Sequence, residues 1–327
     1  MSKMRDRLGE HIGPLCCAIG VIAVVALYAA YQPAILSAFG IASLANASVT
    51  LALAALGQTV VLMTGALDLS IGSEISLVNC FAATFMGDGT TSIVLVVIAS
   101  LLIGVLAGAI NGVVVAYGRV APLIATFCTS FVYAGISLTL RPQPGGSIPD
   151  SFANLLTGNW GLLPFSAVLL LLAVLVIWLP VFRSRLGRFI LAYGDNPDSA
   201  FASGIPVRRV GMAAYMLAGL FAAIAGLFLA AETTSGDPSI GNVYTLNSLA
   251  AAVLGGVALT GGRGSMIGPI LGAILLSIIL NVLSVVGISA FWQDFIEGGI
   301  LILVLGLAGI RLLRAQSWTS LLGRSQS

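Results

Sequence analysis

The stretch that decides the fold runs from residue 92 to residue 117 and reads SIVLVVIASLLIGVLAGAINGVVVAY. It contains no Asp, Glu, Lys or Arg. A helix needs about 20 mostly apolar residues to cross the hydrocarbon core of a bilayer. This stretch is long enough, so it predicts a transmembrane helix.

The composition of the whole chain points the same way. Of 327 residues, 58% are hydrophobic and only 8% are charged, and the mean hydropathy is +1.08. Soluble domains carry about 25% charged residues, and a soluble fold this poor in charge would expose large apolar patches and aggregate. Lys and Arg are dispersed between apolar runs, which argues against a nucleic-acid-binding face. We therefore expect an integral membrane protein.

Further apolar runs predict an all-α polytopic bundle of about ten transmembrane helices. The predicted spans lie at about 13–31, 44–66, 71–86, 92–117, 121–140, 163–182, 210–231, 245–260, 266–287 and 293–312. The third and the eighth are short and interrupted by glycine, so we expect them to be tilted, broken or partly re-entrant. No shift in composition marks a second domain, so residues 1–327 are expected to form a single transmembrane domain.

Positive charges test this count, because Lys and Arg concentrate in the cytoplasmic loops of membrane proteins. With the N-terminus in the cytoplasm, every Lys and Arg except Arg141 falls on the cytoplasmic side. These residues are Lys3, Arg5, Arg7, Arg119, Arg183, Arg185, Arg188, Arg208, Arg209, Arg263, Arg311, Arg314 and Arg324. The pattern supports an even number of spans with both termini in the cytoplasm. The outer segment 141–162, rich in Pro, Gly and Asn, is expected to be an irregular loop or a short helix.

A polar segment at about 183–209 carries a short predicted helix. Asn196 is a good N-cap and Pro197 suits the first helical position. Gly204 supplies a left-handed stop and Pro206 prevents continuation. This helix is too short to span. From the residues alone, a docking helix for a cytosolic partner and an ordinary structured connector remain equally open.

A second motif, MTGALDLSIGSE at residues 63–74, places acids at the junction of two predicted spans. Thr64 and Gly65 can end one helix, and Asp68 or Ser70 can cap the next. An ionisable residue in or near the bilayer is a functional-site hypothesis by default. The alternative is that Asp68 only caps a helix, and both interpretations can hold together.

Rows of small residues predict close helix packing. Gly104, Gly108 and Gly112 form one such row, and Gly264, Gly268 and Gly272 are expected to form another. Asn111 and Asn281 are candidates for hydrogen bonds across helix interfaces.

Other site types are disfavoured. The glycine-rich segment 255–265 (GGVALTGGRGS) lacks the Gly-Lys-Ser/Thr ending of a phosphate loop and follows no predicted strand. The single histidine and the four cysteines form no metal-ligand or nucleophile pattern. We therefore expect no catalytic residues, no metal ligands and no cofactor in this chain, and no enzymatic activity.

Taken together, the motifs resemble those of the permease subunits of ribose-type monosaccharide ABC importers. The matching segments are residues 62–73 (LMTGALDLSIGS), 109–112 (AING), 121–127 (APLIATF), 193–205 (YGDNPDSAFASGI), 235–238 (SGDP), 251–256 (AAVLGG) and 261–265 (GGRGS). They occur in order over about residues 50–310 and form a specific signal. Related branched-chain amino acid permeases usually carry Asn-Phe-Ala where this chain has Asp68-Leu-Ser70, which favours the sugar branch.

This resemblance implies a permease in the bacterial inner membrane that works as a dimer, with a second copy of this chain as the expected partner. The segment at about Asn196–Ser203 would be the coupling helix of a separate ABC ATPase subunit, which would hold ATP and Mg²⁺. An extracytoplasmic solute-binding protein would deliver the substrate. The residues expected to couple to the ATPase are Asn196, Ala200, Ser203, Gly204, Arg208 and Arg209. The residues expected to line the translocation pathway are Asp68, Ser70, Ser73 and Asn111.

Two other classes of protein compete with this interpretation. A self-sufficient secondary transporter or channel would use intramembrane acids such as Asp68, Glu74 and Glu297 to bind a coupling ion. The structured cytoplasmic segment argues against it, because a lone carrier needs no docking helix. A membrane enzyme is disfavoured because no acid–base pair lies in a common span.

Overall fold

The computed structural model describes residues 2–289, 291–293, 295–306 and 309, with side chains from residue 13 onward. Within this part, seven helices are long and apolar enough to cross a membrane. They are Gly13–Tyr31, Ala38–Leu62, Thr90–Tyr117, Pro122–Leu140, Phe165–Arg183, Val207–Thr233 and Ile267–Val285. The predicted all-α, polytopic transmembrane class is confirmed.

The helices follow one another with short connections. In chain order they are α1 (Ser2–Tyr31), α2 (Ala38–Leu62), α3 (Ile71–Phe85), α4 (Thr90–Gly112), α5 (Pro122–Leu140), α6 (Asp150–Thr157), α7 (Phe165–Ala173), α8 (Leu179–Arg183), α9 (Arg185–Asp195), α10 (Pro197–Ala202), α11 (Val207–Thr233), α12 (Asn242–Leu254) and α13 (Ile267–Val285). A 3-10 turn, Pro33–Leu36, precedes α2, and π-helical turns extend α4 (Val113–Tyr117) and join α7 to α8 (Val174–Trp178). Residues 291–293 and 295–306 are also helical.

The third and eighth predicted spans are short helices, as expected. Helix α3 has 15 residues and α12 has 13. At 1.5 Å per residue they are about 20 Å long, less than the ~30 Å of a hydrocarbon core. The tenth predicted span, 293–312, is helical at 295–306, whereas its residues 294, 307, 308 and 310–312 lie outside the described part. Arg311, Arg314 and Arg324 lie outside it as well.

Helix α2 begins and ends earlier than the predicted span 44–66. Ser37 caps its start, since the Ser37 side chain accepts a hydrogen bond from the backbone N–H of Gly40. The chain leaves the helix after Leu62 and reaches Gly65 with φ +78°. That left-handed conformation suits glycine and ends the helix within an apolar run.

Helices α2 and α11 form the centre of the bundle. In their most apolar windows, 61% and 67% of the residues are buried inside the chain, against 11% for α1. Helix α11 packs closely on α4, where a Cβ added at Gly104 or Gly108 would lie 2.3 Å or 2.1 Å from a backbone oxygen of α11. The packing predicted for the first glycine row is confirmed.

The second predicted row is only partly right. Added Cβ atoms at Gly268 and Gly272 would lie 1.9 Å from the oxygen of Gly255 and 2.2 Å from that of Ala251, so α13 packs closely on α12 and the turn after it. Gly264 precedes α13 and faces Met63 instead, so it does not belong to the row. The prediction for Asn281 is confirmed, because its Oδ1 accepts a 2.9 Å hydrogen bond from the Tyr28 hydroxyl of α1.

The connections gather at two ends of the bundle. We call the end that carries residues 141–164 the outer end, and the end that carries residues 183–206 the inner end. The outer segment holds α6 and a hairpin of β1 (Asn159–Trp160) and β2 (Leu163–Pro164), in agreement with its predicted irregular or short-helical character.

Arg141, the one Arg predicted on the outer side, has a structural role. Its guanidinium donates to the Thr84 hydroxyl and to the Ala83 carbonyl, both at 3.0 Å, at the end of α3. Nearby, Gly145 and Gly236 pair through two backbone hydrogen bonds of 2.9 and 2.8 Å. Two outer loops are thereby fastened to each other over α3.

The α4–α11 contact predicts a large effect of one methyl group. We expect Gly108→Ala to lower the unfolding temperature of the detergent-purified chain, because the neighbouring backbone must shift, and overpacking typically costs about 1–3 kcal/mol. Gly135→Ala in α5 is the matched control, since its Cβ would meet nothing within 4 Å. Equal unfolding temperatures for the two variants, measured by fluorescence-detected size exclusion after heating, would contradict the packing described.

Candidate functional site

A cluster of polar side chains begins in the loop between α2 and α3. The Asp68 Oδ1 accepts hydrogen bonds from the backbone N–H of Ser70 at 2.8 Å and from the Ser70 hydroxyl at 2.6 Å. Ser70 is the N-cap residue of α3, directly before its first residue Ile71. Asp68 therefore caps the start of α3, as one of the two sequence interpretations stated.

Asn111 of α4 joins this cap to two further helices. Its Nδ2 donates to the Ser70 hydroxyl oxygen at 2.7 Å and to Glu74 Oε1 at 3.1 Å. Its Oδ1 accepts from the hydroxyl of Thr129 at 2.6 Å and from that of Tyr133 at 3.4 Å, both on α5. We call these residues the polar cluster; its members are Asp68, Ser70, Glu74, Asn111, Thr129 and Tyr133. The cluster fastens α3, α4 and α5 together.

Two carboxyl groups are enclosed in this cluster. Asp68 is 0% exposed and Glu74 is 1% exposed. Throughout the described chain, each hydrogen bond to them comes from a neutral group, and Asp68 Oδ2 and Glu74 Oε2 accept none. A buried ionised carboxylate without a charged partner is strongly unfavourable.

The contacts of Ser70 indicate how the negative charge of the two carboxyl groups is reduced. Its hydroxyl oxygen lies 2.6 Å from Asp68 Oδ1 and 3.1 Å from Glu74 Oε1. A hydroxyl carries one hydrogen and can donate it to only one of these oxygens at a time. The other contact is a hydrogen bond only when a carboxyl group carries a proton. The arrangement therefore suits a pair of acids that share at least one proton.

The structure brings together three of the four residues predicted for the pathway: Asp68, Ser70 and Asn111. Ser73 lies on α3, is buried, and takes part in none of the hydrogen bonds of the cluster. All three clustered residues are completely buried within one chain. Their role in the translocation pathway stays a prediction.

Sequence reasoning omitted Glu74, Thr129 and Tyr133 from the predicted pathway set. The α5 residues carry a signal that was available, because polar side chains recur at helical spacing along one face. These are Thr126, Thr129, Tyr133 and Ser137. Such a stripe in an otherwise apolar span marks the side that faces polar groups inside a bundle.

The predicted coupling segment forms a separate site at the inner end. Its short helix is α10, and the Asn196 side chain caps it by accepting from the backbone N–H of Ser199 at 2.8 Å. Gly204 has φ +79°, and the N–H of Ile205 returns to the Ala200 carbonyl at 3.1 Å. Both predicted ends of this helix are confirmed. In the preceding helix, burial raises the pKa of the Tyr193 phenol above its ordinary value, so this side chain stays neutral.

Exposure divides the predicted coupling residues into two groups. Asn196, Ser203, Gly204, Arg208 and Arg209 are exposed. Ala200 is only 4% exposed and faces the chain's own interior. Next to it, Phe201 is 69% exposed on a polar surface, and sequence reasoning did not single it out. An exposed aromatic side chain on a short, capped helix is a typical anchor for a protein partner.

Comparison with known proteins agrees with this architecture. The model of a family described as branched-chain amino acid transport system / permease component matches residues 40–305. The ribose import permease protein RbsC of Bacillus subtilis (strain 168) is 32% identical over 91% of this chain and 92% of its own length. RbsC of Escherichia coli (strain K12) is 30% identical over 87% and 90%. The galactose/methyl galactoside import permease protein MglC of Haemophilus influenzae (strain ATCC 51907 / DSM 11121 / KW20 / Rd) is 30% identical over 89% and 92%. No solved structure matches the chain significantly.

The inference that the two buried acids hold at least one proton between them leads to a test with two substitutions. We expect Glu74→Gln to leave the free energy of unfolding within about 1 kcal/mol of wild type, because the amide resembles a protonated carboxyl group. Glu74→Ala removes the buried oxygen that lies within hydrogen-bond distance of the Ser70 hydroxyl and the Asn111 amide, which should cost about 1–3 kcal/mol although both side chains keep their other partners. Thermal unfolding of the purified variants in detergent measures both. If Glu74→Gln were as unstable as Glu74→Ala, the charged form would be required and the shared proton would be refuted.

Proposed function

We propose a function for this chain, which belongs to the family described as branched-chain amino acid transport system / permease component. It is the membrane-spanning subunit of an ABC importer and carries a monosaccharide or similar small polyol across the bacterial inner membrane. It is a transport subunit and not an enzyme. The ATP and Mg²⁺ that drive transport are bound by a separate ATPase subunit.

The relatives support a sugar as the solute. Those named above are import permeases for ribose and for galactose or methyl galactoside, and each match covers most of both chains. The family description names branched-chain amino acids, which makes them the second candidate. The acidic Asp68-Leu-Ser70 segment, which departs from the amino acid branch, favours the sugar.

The observation that carries the proposal is α10 with its exposed Phe201. A carrier that works alone has no use for a capped helix that presents an aromatic ring to the cytosol. In an importer, this helix fits a groove of the ATPase. The exposed Arg208 and Arg209, at the start of α11, add positive charge beside that contact. Ala200 supports α10 from inside the chain.

Transport then requires alternating access. ATP binding closes the partner ATPases and moves α10, and a second copy of the permease completes the pathway. ATP shifts this equilibrium because its affinity differs between the two states. An extracytoplasmic binding protein supplies the solute at the outer end, so the permease itself needs only weak affinity. The polar cluster is well placed to respond to the movement of α10, since it fastens three helices near the inner end.

The decisive experiment is affinity purification of the chain from its native membrane in mild detergent. Mass spectrometry identifies the proteins that accompany it, and ATP hydrolysis is assayed in the eluate. The recovered complex is then placed in liposomes with its binding protein and tested with radiolabelled ribose, galactose and leucine. An ATPase in the eluate and ATP-dependent sugar uptake support the proposal. Uptake driven by an ion gradient in liposomes that hold this chain alone would establish a secondary transporter instead.

One substitution tests the docking helix directly. We expect Phe201→Ala to reduce co-purification of the ATPase, because loss of an interface anchor costs about 2 kcal/mol, or roughly 30-fold in Kd. The variant should fold normally, since the ring is 69% exposed in this chain. Trp160→Ala is the control, because Trp160 is 81% exposed at the outer end. Unchanged recovery of the ATPase with Phe201→Ala would remove α10 from the interface.

A further inference from the structure

Four glycines from three separate segments of the chain meet at the inner end of the bundle. They are Gly65 after α2, Gly194 in the last turn of α9, and Gly261 and Gly262 in the turn between α12 and α13. We call this group the glycine junction. At its centre, the backbone N–H of Gly262 donates a 3.0 Å hydrogen bond to the carbonyl of Met63, the residue that ends α2.

The glycine junction leaves no room for side chains. A Cβ at Gly194 would lie 1.9 Å from the Met63 carbonyl oxygen and 2.5 Å from the Gly262 nitrogen. A Cβ at Gly261 would lie 2.6 Å from the Gly65 nitrogen and 2.8 Å from the Gly194 oxygen. The three backbones therefore touch directly. No flexible side chain lies between them that could absorb a small displacement.

One side of the glycine junction leads to α10, the proposed docking helix. Gly194 is followed by Asp195 and by Asn196, whose side chain caps α10. A Cβ at Gly262 would lie 2.9 Å from the Cα of Asp195, so the turn also touches the last residue of α9. A displacement of α10 would therefore reach this turn and the end of α2 without an intervening loop.

The other side leads to the polar cluster. From Met63 the chain runs through Leu67, whose carbonyl accepts a 3.2 Å hydrogen bond from the Tyr215 hydroxyl of α11. It then reaches Asp68, and the N–H of Leu69 donates to the Thr126 hydroxyl of α5 at 3.0 Å. The segment 63–70 is thereby held by α5 and α11 along its course. A displacement at Met63 reaches the start of α3 and the buried acids.

We propose that the glycine junction is the rigid link through which α10 acts on the transmembrane helices, and that Gly194 is its central positioning residue. This inference rests on the proposed function, because it takes the partner ATPase as the source of the movement. The junction makes the end of α9, the end of α2 and the α12–α13 turn move as one body. Backbone contact is suited to this task because closely packed atoms transmit a displacement with little compression.

The test is Gly194→Ala in the complex with its ATPase and binding protein. The added methyl group must separate the three backbone segments, so ATP hydrolysis should continue while sugar uptake falls by about tenfold, within the range expected when one residue modulates coupling between sites. The number of ATP molecules hydrolysed per sugar transported therefore rises. A loss of folding alone would lower hydrolysis and uptake together, so this ratio separates the two effects.

The matched control is Gly211→Ala, in the first turns of α11 at the same end. Its Cβ would meet ordinary contacts, 3.4 Å from the Ala116 Cβ and 3.6 Å from the Tyr193 ring, so the ratio should stay at the wild-type value. A wild-type ratio in Gly194→Ala would overturn the inference. Absence of ATP-driven uptake in the wild-type complex would instead refute the proposed function, so the two failures are distinguishable.

A second measurement avoids any change in the glycine junction. Spin labels are placed at Arg188 of α9 and Thr260 of the α12–α13 turn, both exposed, in a cysteine-free chain mixed with unlabelled copies. Pulsed electron resonance then compares nucleotide-free and ATP-bound complexes. We expect the same distance distribution in both states, because the two loops move together. A new distance in the ATP-bound state would refute the rigid link.

Discussion

Direct contact between backbones, at distances that only glycine permits, is the constraint on which this structure depends. In a bilayer, apolar side chains gain little by leaving lipid for protein, so helices associate through close packing and hydrogen bonds. The contact of α4 with α11 uses Gly104 and Gly108 in this way, and α12 with α13 uses Gly268 and Gly272. The same device appears in loops at the glycine junction. Helix packing and the link to α10 are therefore two uses of one physical principle.

A second constraint comes from the acids inside the bundle. Asp68 and Glu74 have neutral hydrogen-bond partners only, as far as the described residues go, and a net charge there would be costly. Sharing a proton lowers that cost and keeps Ser70 and Asn111 fully engaged. Such a network holds helices in one arrangement more firmly than apolar packing does, because each broken bond leaves a buried group unsatisfied. Movement of α3, α4 and α5 as a block is the expected consequence.

Much of this architecture was predictable from local patterns. Hydropathy identified the long helices, glycine spacing identified the face of α4 that packs closely on another helix, and the capping residues Asn196 and Gly204 identified α10 with both of its ends. These features depend on residues within a few turns of each other. The glycine junction was not predictable, because it joins positions far apart in the sequence, and a turn glycine carries no signal about its partner.

The orientation of side chains was the second feature that could not be predicted from the sequence. Ala200 and Phe201 are neighbours in α10, yet one is 4% exposed and the other 69% exposed. A helix of one and a half turns is too short for a hydrophobic pattern to show which face is buried, so the sequence favoured the small residue and missed the ring. Similarly, Ser70 and Ser73 are equally polar in sequence, but only Ser70 lies where the chain enters α3 and meets Asn111.

The positions of the two sites suggest why a permease of this kind separates docking from the buried acids. In the proposed importer, the partner ATPase would bind an exposed surface, and Phe201 offers such a surface at the inner end of the bundle. The acids need a dry, neutral and fully bonded interior, where no partner can reach. A flexible connection between the two sites would absorb part of any movement of α10, whereas closely packed atoms transmit it. Contact between three backbone segments at the glycine junction is stiff instead, because the backbones of Met63, Gly194 and Gly262 touch without a side chain between them.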